Sequence, residues 1–124
     1  MSHFTTVSVD IENSDLLAET LTELGYTYDR EGMVRGYAGL TTKADFVIRQ
    51  ENGYDLGFQK QEQGYALVAD FWGARIDEKR FLAEVARRYA YKALRQSAAA
   101  QGFTVEEEET LADGSVRLVV GRWL

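Results

Sequence analysis

One glycine-rich segment carries the residues best suited to holding an anion. Residues 32–43 contain three glycines, two cations and two threonines, and no acid. Glycine-rich turns bind phosphate through backbone amides, with help from basic and hydroxyl side chains. The order differs from that of a P-loop, because the lysine follows the threonines and the next predicted element is a strand. The segment is predicted to bind an anion or small ligand through four residues: Arg35, Thr41, Thr42 and Lys43.

A second basic cluster lies later in the chain. Between residues 79 and 95 six residues are basic and only Glu84 is acidic. Several of them recur close to sevenfold spacing, which places them on one face of a helix. This face is predicted to bind a protein partner through Arg80, Arg87, Arg88, Tyr91, Lys92 and Arg95. A nucleic-acid backbone is the less favoured ligand, because a chain with a net charge of −6 repels phosphates on average.

Side chains suited to catalysis or metal binding are scarce. The chain has no cysteine, which excludes thiol chemistry, and the only histidine, His3, lies close to the N-terminus. No histidine pair or EF-hand pattern has metal-ligand spacing. The four consecutive acids at 106–109 alternate between two faces of a predicted strand, which is typical of a solvated edge. No catalytic residue, cofactor or metal is predicted, and the sequence favours a protein that is not an enzyme.

Large aromatic residues could provide contacts with a partner. Tryptophan and tyrosine are enriched at interfaces, where their rings act as anchors. Most of these residues are expected in the core, and the exposed ones would be the anchors. The candidates are Trp72, Trp123, Tyr37, Tyr54 and Tyr65.

Hydrophobic periodicity predicts the elements that position these residues. One helix is predicted to begin with Asn13 or Ser14 as its N-cap and to end at Gly25. A longer helix is predicted from Asp77 to about Gln101. An Asn-Gly pair predicts a tight hairpin turn between the strands over 45–50 and 54–59. Strands are predicted over 3–11, 45–50, 54–59, 65–71, 103–108 and 116–123, and two short strands follow the first helix, in the stretches 25–28 and 32–35.

The order strand, helix, strand, strand occurs twice, with an extra hairpin between the copies. This order predicts an α+β fold in which an antiparallel sheet has two helices packed on one face. The repeat indicates either internal duplication or the independent recurrence of common turn signals. With 124 residues and 45% hydrophobic content, residues 1–124 are predicted to form a single domain.

Nothing in the sequence indicates export or membrane insertion. The first residues have no signal-peptide pattern, and no run approaches the roughly 18 apolar residues of a spanning helix. The lack of cysteine fits a reducing compartment. A cytoplasmic protein without membrane contact is therefore expected, and no oligomeric state is predicted.

Several stretches, distributed in order over nearly the whole chain, resemble one known family. They are Met1-Ser2-His3-Phe4, Arg35-Gly36-Tyr37 through Thr41-Thr42-Lys43-Ala44-Asp45, Val47-Ile48-Arg49, Tyr54-Asp55-Leu56-Gly57-Phe58, Leu67-Val68-Ala69-Asp70-Phe71-Trp72-Gly73 and Arg88-Tyr89-Ala90-Tyr91. The sequence resembles the hypothetical chloroplast reading frame thirty-five family, a domain of unknown function in cyanobacteria, algal plastids and other bacteria. The resemblance implies no reaction, cofactor or catalytic residue, and it implies a cytoplasmic or plastid stromal location.

Three hypotheses follow for the function. The leading one is a non-enzymatic accessory or protein-interaction module that uses the basic helix face or the 35–43 loop. The alternative is a regulatory domain that binds a small ligand or anion through that loop. Nucleic-acid binding through the basic helix face is the least favoured.

Overall fold

The computed structural model describes residues 3–113 and 115–122. Its strands are β1 (Thr5–Ser8), β2 (Asp29–Arg35), β3 (Thr41–Ile48), β4 (Leu56–Gln61), β5 (Gly64–Ala69), β6 (Phe103–Thr110) and β7 (Val116–Arg122). Its helices are α1 (Ser14–Glu23), α2 (Phe71–Ala74) and α3 (Glu78–Ala100). A single 3-10 turn at Tyr37–Gly39 joins β2 to β3. Gly114, between the last two strands, and the aromatic candidate Trp123 lie outside the described residues.

The sheet confirms the predicted α+β architecture. Five strands form one antiparallel sheet in the order β1-β5-β4-β3-β2, and β6 pairs with β7 in a separate two-stranded sheet. Strand, helix, strand, strand occurs twice, as β1-α1-β2-β3 and as β5-α3-β6-β7, but β4 alone lies between the copies where an extra hairpin was predicted. The two copies differ in the sheet that their last two strands form. In the first copy, β2 and β3 belong to the five-stranded sheet, whereas in the second copy β6 and β7 form the separate two-stranded sheet.

Both longer helices begin and end where local signals predicted. The Asn13 side chain accepts a hydrogen bond from the amide of Leu16 at 3.0 Å, so Asn13 is the N-cap of α1. The Asp77 side chain caps α3 in the same way, through the amide of Arg80 at 3.1 Å. Gly25 follows α1 with a φ of 89°, a left-handed conformation that favours glycine.

Several predicted strand boundaries are wrong: for example, the strand predicted over 54–59 is Leu56–Gln61, and β6 extends to Thr110 and not only to residue 108. β1 is shorter than 3–11, and β3 begins at Thr41 and not at residue 45. The strand predicted over 65–71 ends at Ala69, because the carbonyl of Asp70 accepts the amides of Gly73 and Ala74 and starts α2.

The Asn-Gly pair does not form the predicted two-residue hairpin. Ile48 pairs with Leu56, so the connection between β3 and β4 spans residues 49–55. Within it, Asn52 accepts the amide of Tyr54 at 3.0 Å. The connection is long because it folds around the side chain of Asp55, as described below.

Apolar side chains form two clusters. The larger one joins the sheet to α1 and α3, and its members include Leu17, Leu21, Phe46, Phe58, Leu67, Phe81 and Val85. The smaller one contains Val34, Ala44, Val47 and Val68, with Phe4 packed against it. The large cluster therefore holds both helices against the sheet.

Gly57 lets strands of the large sheet approach one another at the smaller cluster. A Cβ atom there would lie 2.9 Å from Ala44 Cβ and 3.1 Å from Val68 Cγ1, and it would collide with Val34 Cγ2. These three neighbours come from β3, β5 and β2. The missing side chain thus permits the close packing of three strands around β4.

Asp55 forms the most extensive polar cluster among the described residues. Its side chain is fully buried and forms ion pairs with Arg35 at 2.7 Å and Arg49 at 3.0 Å. Its carboxylate also accepts the backbone amides of Arg35 and Gln50, each at 3.0 Å. The Asp55 amide in turn donates to the Arg35 carbonyl at 3.1 Å. We call this arrangement the Asp55 clamp; it joins the end of β2 to the residues that follow β3.

The hydrogen bonds of the clamp stabilise the ionised form of Asp55. Burial alone would raise the pKa of the carboxyl group. The donors from Arg35, Gln50 and Arg49 outweigh burial and lower the pKa from 3.8 to about 2. Because the pKa is lower in the folded protein, ionised Asp55 stabilises the fold above the unfolded-state pKa and loses this effect as the pH falls.

We expect Asp55→Asn to lower the free energy of unfolding at neutral pH by about 3 kcal/mol, since it leaves two cations with a neutral partner. In the wild type, about 2 kcal/mol of stability should be lost as the pH falls from 3.8 to about 2. The variant should lack this acid-dependent component. Urea unfolding across that range measures both effects.

The control is Asp29→Asn, which removes a more exposed partner of Arg49, with 59% of its side chain accessible. A surface pair of this kind contributes at most about 1 kcal/mol. Equal losses of unfolding free energy in Asp55→Asn and Asp29→Asn would show that Asp55 stabilises the fold no more than an exposed ion pair does.

Gly57→Ala should destabilise the fold by about 1–3 kcal/mol, because the added methyl group collides with the packed side chain of Val34. Chemical denaturation of Gly57→Ala, Val34→Ala and the double variant provides the measurement. The double variant should be more stable than the sum of the two single losses predicts. If the losses of unfolding free energy in the two single variants simply add in the double variant, the side chains at positions 57 and 34 do not contact each other.

Candidate interaction surface

The four predicted ligand residues lie along the β2–β3 hairpin. Arg35 is paired directly with Thr41, and Thr42 and Lys43 pair with Val34 and Met33. The connecting loop is therefore only residues 36–40. The guanidinium of Arg35 donates to Asp55 through Nε and Nη2, and Nη2 also donates to the Gln50 carbonyl at 3.1 Å. Most of the binding capacity of Arg35 is thus directed into the protein.

An exposed group of large apolar side chains surrounds this loop. Trp72 on α2 is 69% exposed, Leu40 54% and Tyr37 47%. The rings of Tyr37 and Trp72 meet edge to face, with centroids 6.5 Å apart. Leu40 follows the same turn, where its amide donates to the Tyr37 carbonyl at 3.0 Å. We call Tyr37, Leu40 and Trp72 the aromatic patch.

The loop between β3 and β4 holds the helix that carries Trp72. The side-chain amide of Asn52 donates to the carbonyls of Gly73 and Ala74, each at 3.2 Å. The side-chain amide of Gln50 donates to the carbonyls of Ala74 and Tyr54, at 3.1 and 2.7 Å respectively. The Tyr54 ring occupies the space where Gly73 would otherwise have a side chain. Because Asp55 fixes this loop, the clamp also positions Trp72.

A buried carboxylate joins the two halves of the patch. Asp70 is 1% exposed, and its Oδ2 accepts the amide of Tyr37 at 3.2 Å. Asp70 comes directly before α2, two residues ahead of Trp72. Its other oxygen, Oδ1, is buried and has no hydrogen-bond donor within residues 3–113 and 115–122. Native proteins seldom leave a buried polar atom without a partner, because burial without a hydrogen bond is costly.

The predicted basic face lies on α3, and acidic residues neutralise much of it. Glu23 on α1 pairs with Lys92 and lies 3.8 Å from Arg88. Arg95 lies 3.5 Å from Glu108.

The remaining members of the basic face differ in their surroundings. The Tyr91 ring lies between Arg88 and Arg95, whose guanidinium carbons are 5.2 and 5.7 Å from its centroid. Arg87 lines a groove of about 250 Å³ between α3 and the β6–β7 sheet. Arg80, nearer the start of α3, forms no ion pair with any residue that the structure describes.

Arg80 lines an open cleft of about 770 Å³ at the start of α3. Apolar atoms of Ile48 and Phe81 and charged groups including Glu84 also line it. The Tyr26 hydroxyl donates to Glu84 at 3.5 Å, and burial and this carboxylate together raise the pKa of Tyr26. The mixture of charges gives the cleft no single ligand preference.

The described part of the chain contains no group of three or more histidine, cysteine, aspartate or glutamate residues that could hold a metal ion. None of its helices has the length and apolar character needed to cross a membrane.

Tyr37 and Trp72 were among the five aromatic contact candidates predicted from the sequence. The two buried acids, Asp55 and Asp70, were not predicted to be important. Asp55 and Asp70 each stand next to apolar residues, in Tyr-Asp-Leu and Ala-Asp-Phe. An acid between apolar residues at the end of a strand is the signal that could have identified them. Their partners could not be predicted, because they lie on other elements.

Comparisons with known proteins identify relatives over the whole chain. It is 36% identical to "Uncharacterized protein ycf35" of Cyanophora paradoxa, over 99% of this chain and 98% of the relative. The proteins of the same name from Guillardia theta and Pyropia yezoensis are 35% and 32% identical, with the same coverage. No solved structure matches the chain.

A family model described as "Protein of unknown function (DUF1257)" matches residues 20–119. The match and the three ycf35 relatives agree with the resemblance found in the sequence. The chain therefore belongs to the DUF1257 family of proteins of unknown function.

Proposed function

We propose that this protein is a non-enzymatic interaction module that binds a protein partner through the aromatic patch. The supporting observation is the 69% exposure of Trp72, in contact with the exposed ring of Tyr37. Tryptophan and tyrosine are the residues that most often dominate binding energy at protein interfaces. Burying the patch against a partner would remove a large apolar area from water.

The rigidity of the patch supports the same proposal. Hydrogen bonds from Asn52 and Gln50 fix the backbone of α2, and Asp70 fixes the backbone of Tyr37. A surface that is ordered before binding loses less conformational entropy when a partner docks. The protein would therefore present the backbone segments that carry its anchors already ordered, in the cytoplasm or the plastid stroma.

The basic face of α3 is a second candidate for the partner surface. Arg80 and Arg87 are the members that support it, because neither side chain forms an ion pair with a described residue. The small-ligand alternative at Arg35, Thr41, Thr42 and Lys43 has weaker support, since Asp55 occupies the guanidinium of Arg35.

Trp72→Ala and Tyr37→Ala should each weaken partner binding by about 30-fold or more, as expected when a central interface aromatic is truncated. Affinity capture from native extract, followed by quantitative mass spectrometry, identifies the partner. Titration with the purified partner then measures the dissociation constant. Thermal unfolding should change little, because both side chains are largely exposed.

Leu94→Ala is the matched control, since Leu94 is 49% exposed on α3 and lies outside the patch. It should bind the partner as the wild type does. A triple charge reversal of Arg87, Arg88 and Arg95 to glutamate tests the basic face. Loss of binding in the triple variant, with Trp72→Ala unaffected, would move the interface to α3 and refute the proposal for the patch.

A further inference from the structure

The unpartnered oxygen of Asp70 indicates what the patch binds. Its carboxylate is 1% exposed, and one oxygen already accepts the Tyr37 amide. The second oxygen, Oδ1, lacks any donor among the residues described. A buried carboxylate oxygen is best satisfied by a cationic donor, whose hydrogen bonds to it are stronger than neutral ones.

The aromatic rings beside Asp70 favour a cation as well. Tyr37 and Trp72 present exposed rings on the two segments that flank this carboxylate. Ring faces attract cations, and the planar guanidinium group of arginine can stack on a ring and donate to a carboxylate at the same time. The chain carries a net charge of −6, which also favours a basic partner.

We propose that Asp70, Tyr37 and Trp72 form a receptor for one arginine side chain of the protein partner. This inference rests on the proposed function, and it adds the chemistry of the partner. The guanidinium stacks on the exposed ring of Trp72 and donates to Asp70 Oδ1. Leu40 contributes apolar contact at the edge of the same patch.

Side chains must move to admit the arginine, because Asp70 is buried. The Phe4 ring packs beside the same backbone, so that a Cβ atom on Gly36 would lie 2.7 Å from Phe4 Cζ and 3.3 Å from Asp70 Cβ. Phe4 precedes β1 and Tyr37 is half exposed, so a rotation of these rings opens a path without unfolding a strand. Rotamer changes of this size are common at interfaces.

The test is an NMR titration of the full chain with N-acetyl-arginine methylamide. The resonances of the Trp72 indole N–H and the Tyr37 amide should shift and saturate at millimolar probe. N-acetyl-citrulline methylamide has nearly the same shape without the charge and should bind at least about tenfold more weakly, as should the lysine analogue. Equal shifts with citrulline or with lysine would overturn the assignment of arginine.

Asp70→Asn should weaken binding of the arginine probe by at least about tenfold, because it removes the charge and keeps an acceptor for the Tyr37 amide. Glu62→Gln is the control, since it removes an exposed acid at the opposite end of β5 and should bind the probe normally. The thermal midpoint of Asp70→Asn should be no lower than that of the wild type, because the lost oxygen has no internal donor. A much lower midpoint, or unchanged affinity, would assign Asp70 a purely structural role and overturn the proposal.

The outcomes separate this inference from the proposed function. If partner capture depends on Trp72 but the arginine probe produces no shift, the patch binds a partner by apolar contact and only the inference fails. If capture is unaffected by Trp72→Ala, the proposed function fails, and the arginine receptor fails with it.

Discussion

The rest of this structure depends on one buried carboxylate. Asp55 is removed from water, where an isolated charge would be strongly destabilising, and two guanidinium groups and two backbone amides compensate for that. Its partners come from the end of β2 and from the residues that follow β3. The clamp therefore fixes where the large sheet ends and where the β3–β4 loop turns.

The proposed interaction surface is built outward from that clamp. The loop that Asp55 closes supplies Asn52 and Gln50, which hold α2, and α2 carries Trp72. On the other side, Arg35 leads into the turn that carries Tyr37. A network of polar contacts thus keeps two large rings exposed, and this is the feature that favours an interaction module over a ligand-binding pocket.

The sequence predicted elements whose signals are local. Asn13 and Asp77 cap their helices through amides three residues away, so apolar periodicity and capping residues located both helices. Phe71 was predicted as the last residue of a strand because aromatic residues favour strands. In the structure, the strand ends before Phe71 because the Asp70 carbonyl accepts the amides of Gly73 and Ala74, which starts a helical turn.

The site depends on contacts between residues that are distant in sequence. Asp55 meets Arg35 across 20 residues, and Asp70 meets Tyr37 across 33. No pattern in a single sequence indicates such pairs, so the cations of residues 32–43 were interpreted as a site for an external anion, and the pairing of Arg35 with Asp55 was not predicted. Exposure of Trp72 is likewise a tertiary property, because it depends on what the rest of the chain leaves uncovered.

The link between the clamp and the patch is tested most directly by an NMR pH titration that follows the Asp55 carboxyl carbon and the Trp72 indole N–H together. Asp55 should titrate with a pKa of about 2, and the Trp72 resonance should shift with the same midpoint. An Asp55 midpoint at 3.8 or above would contradict the conclusion that this carboxylate positions the aromatic patch. A Trp72 resonance that does not shift as Asp55 titrates would contradict it as well.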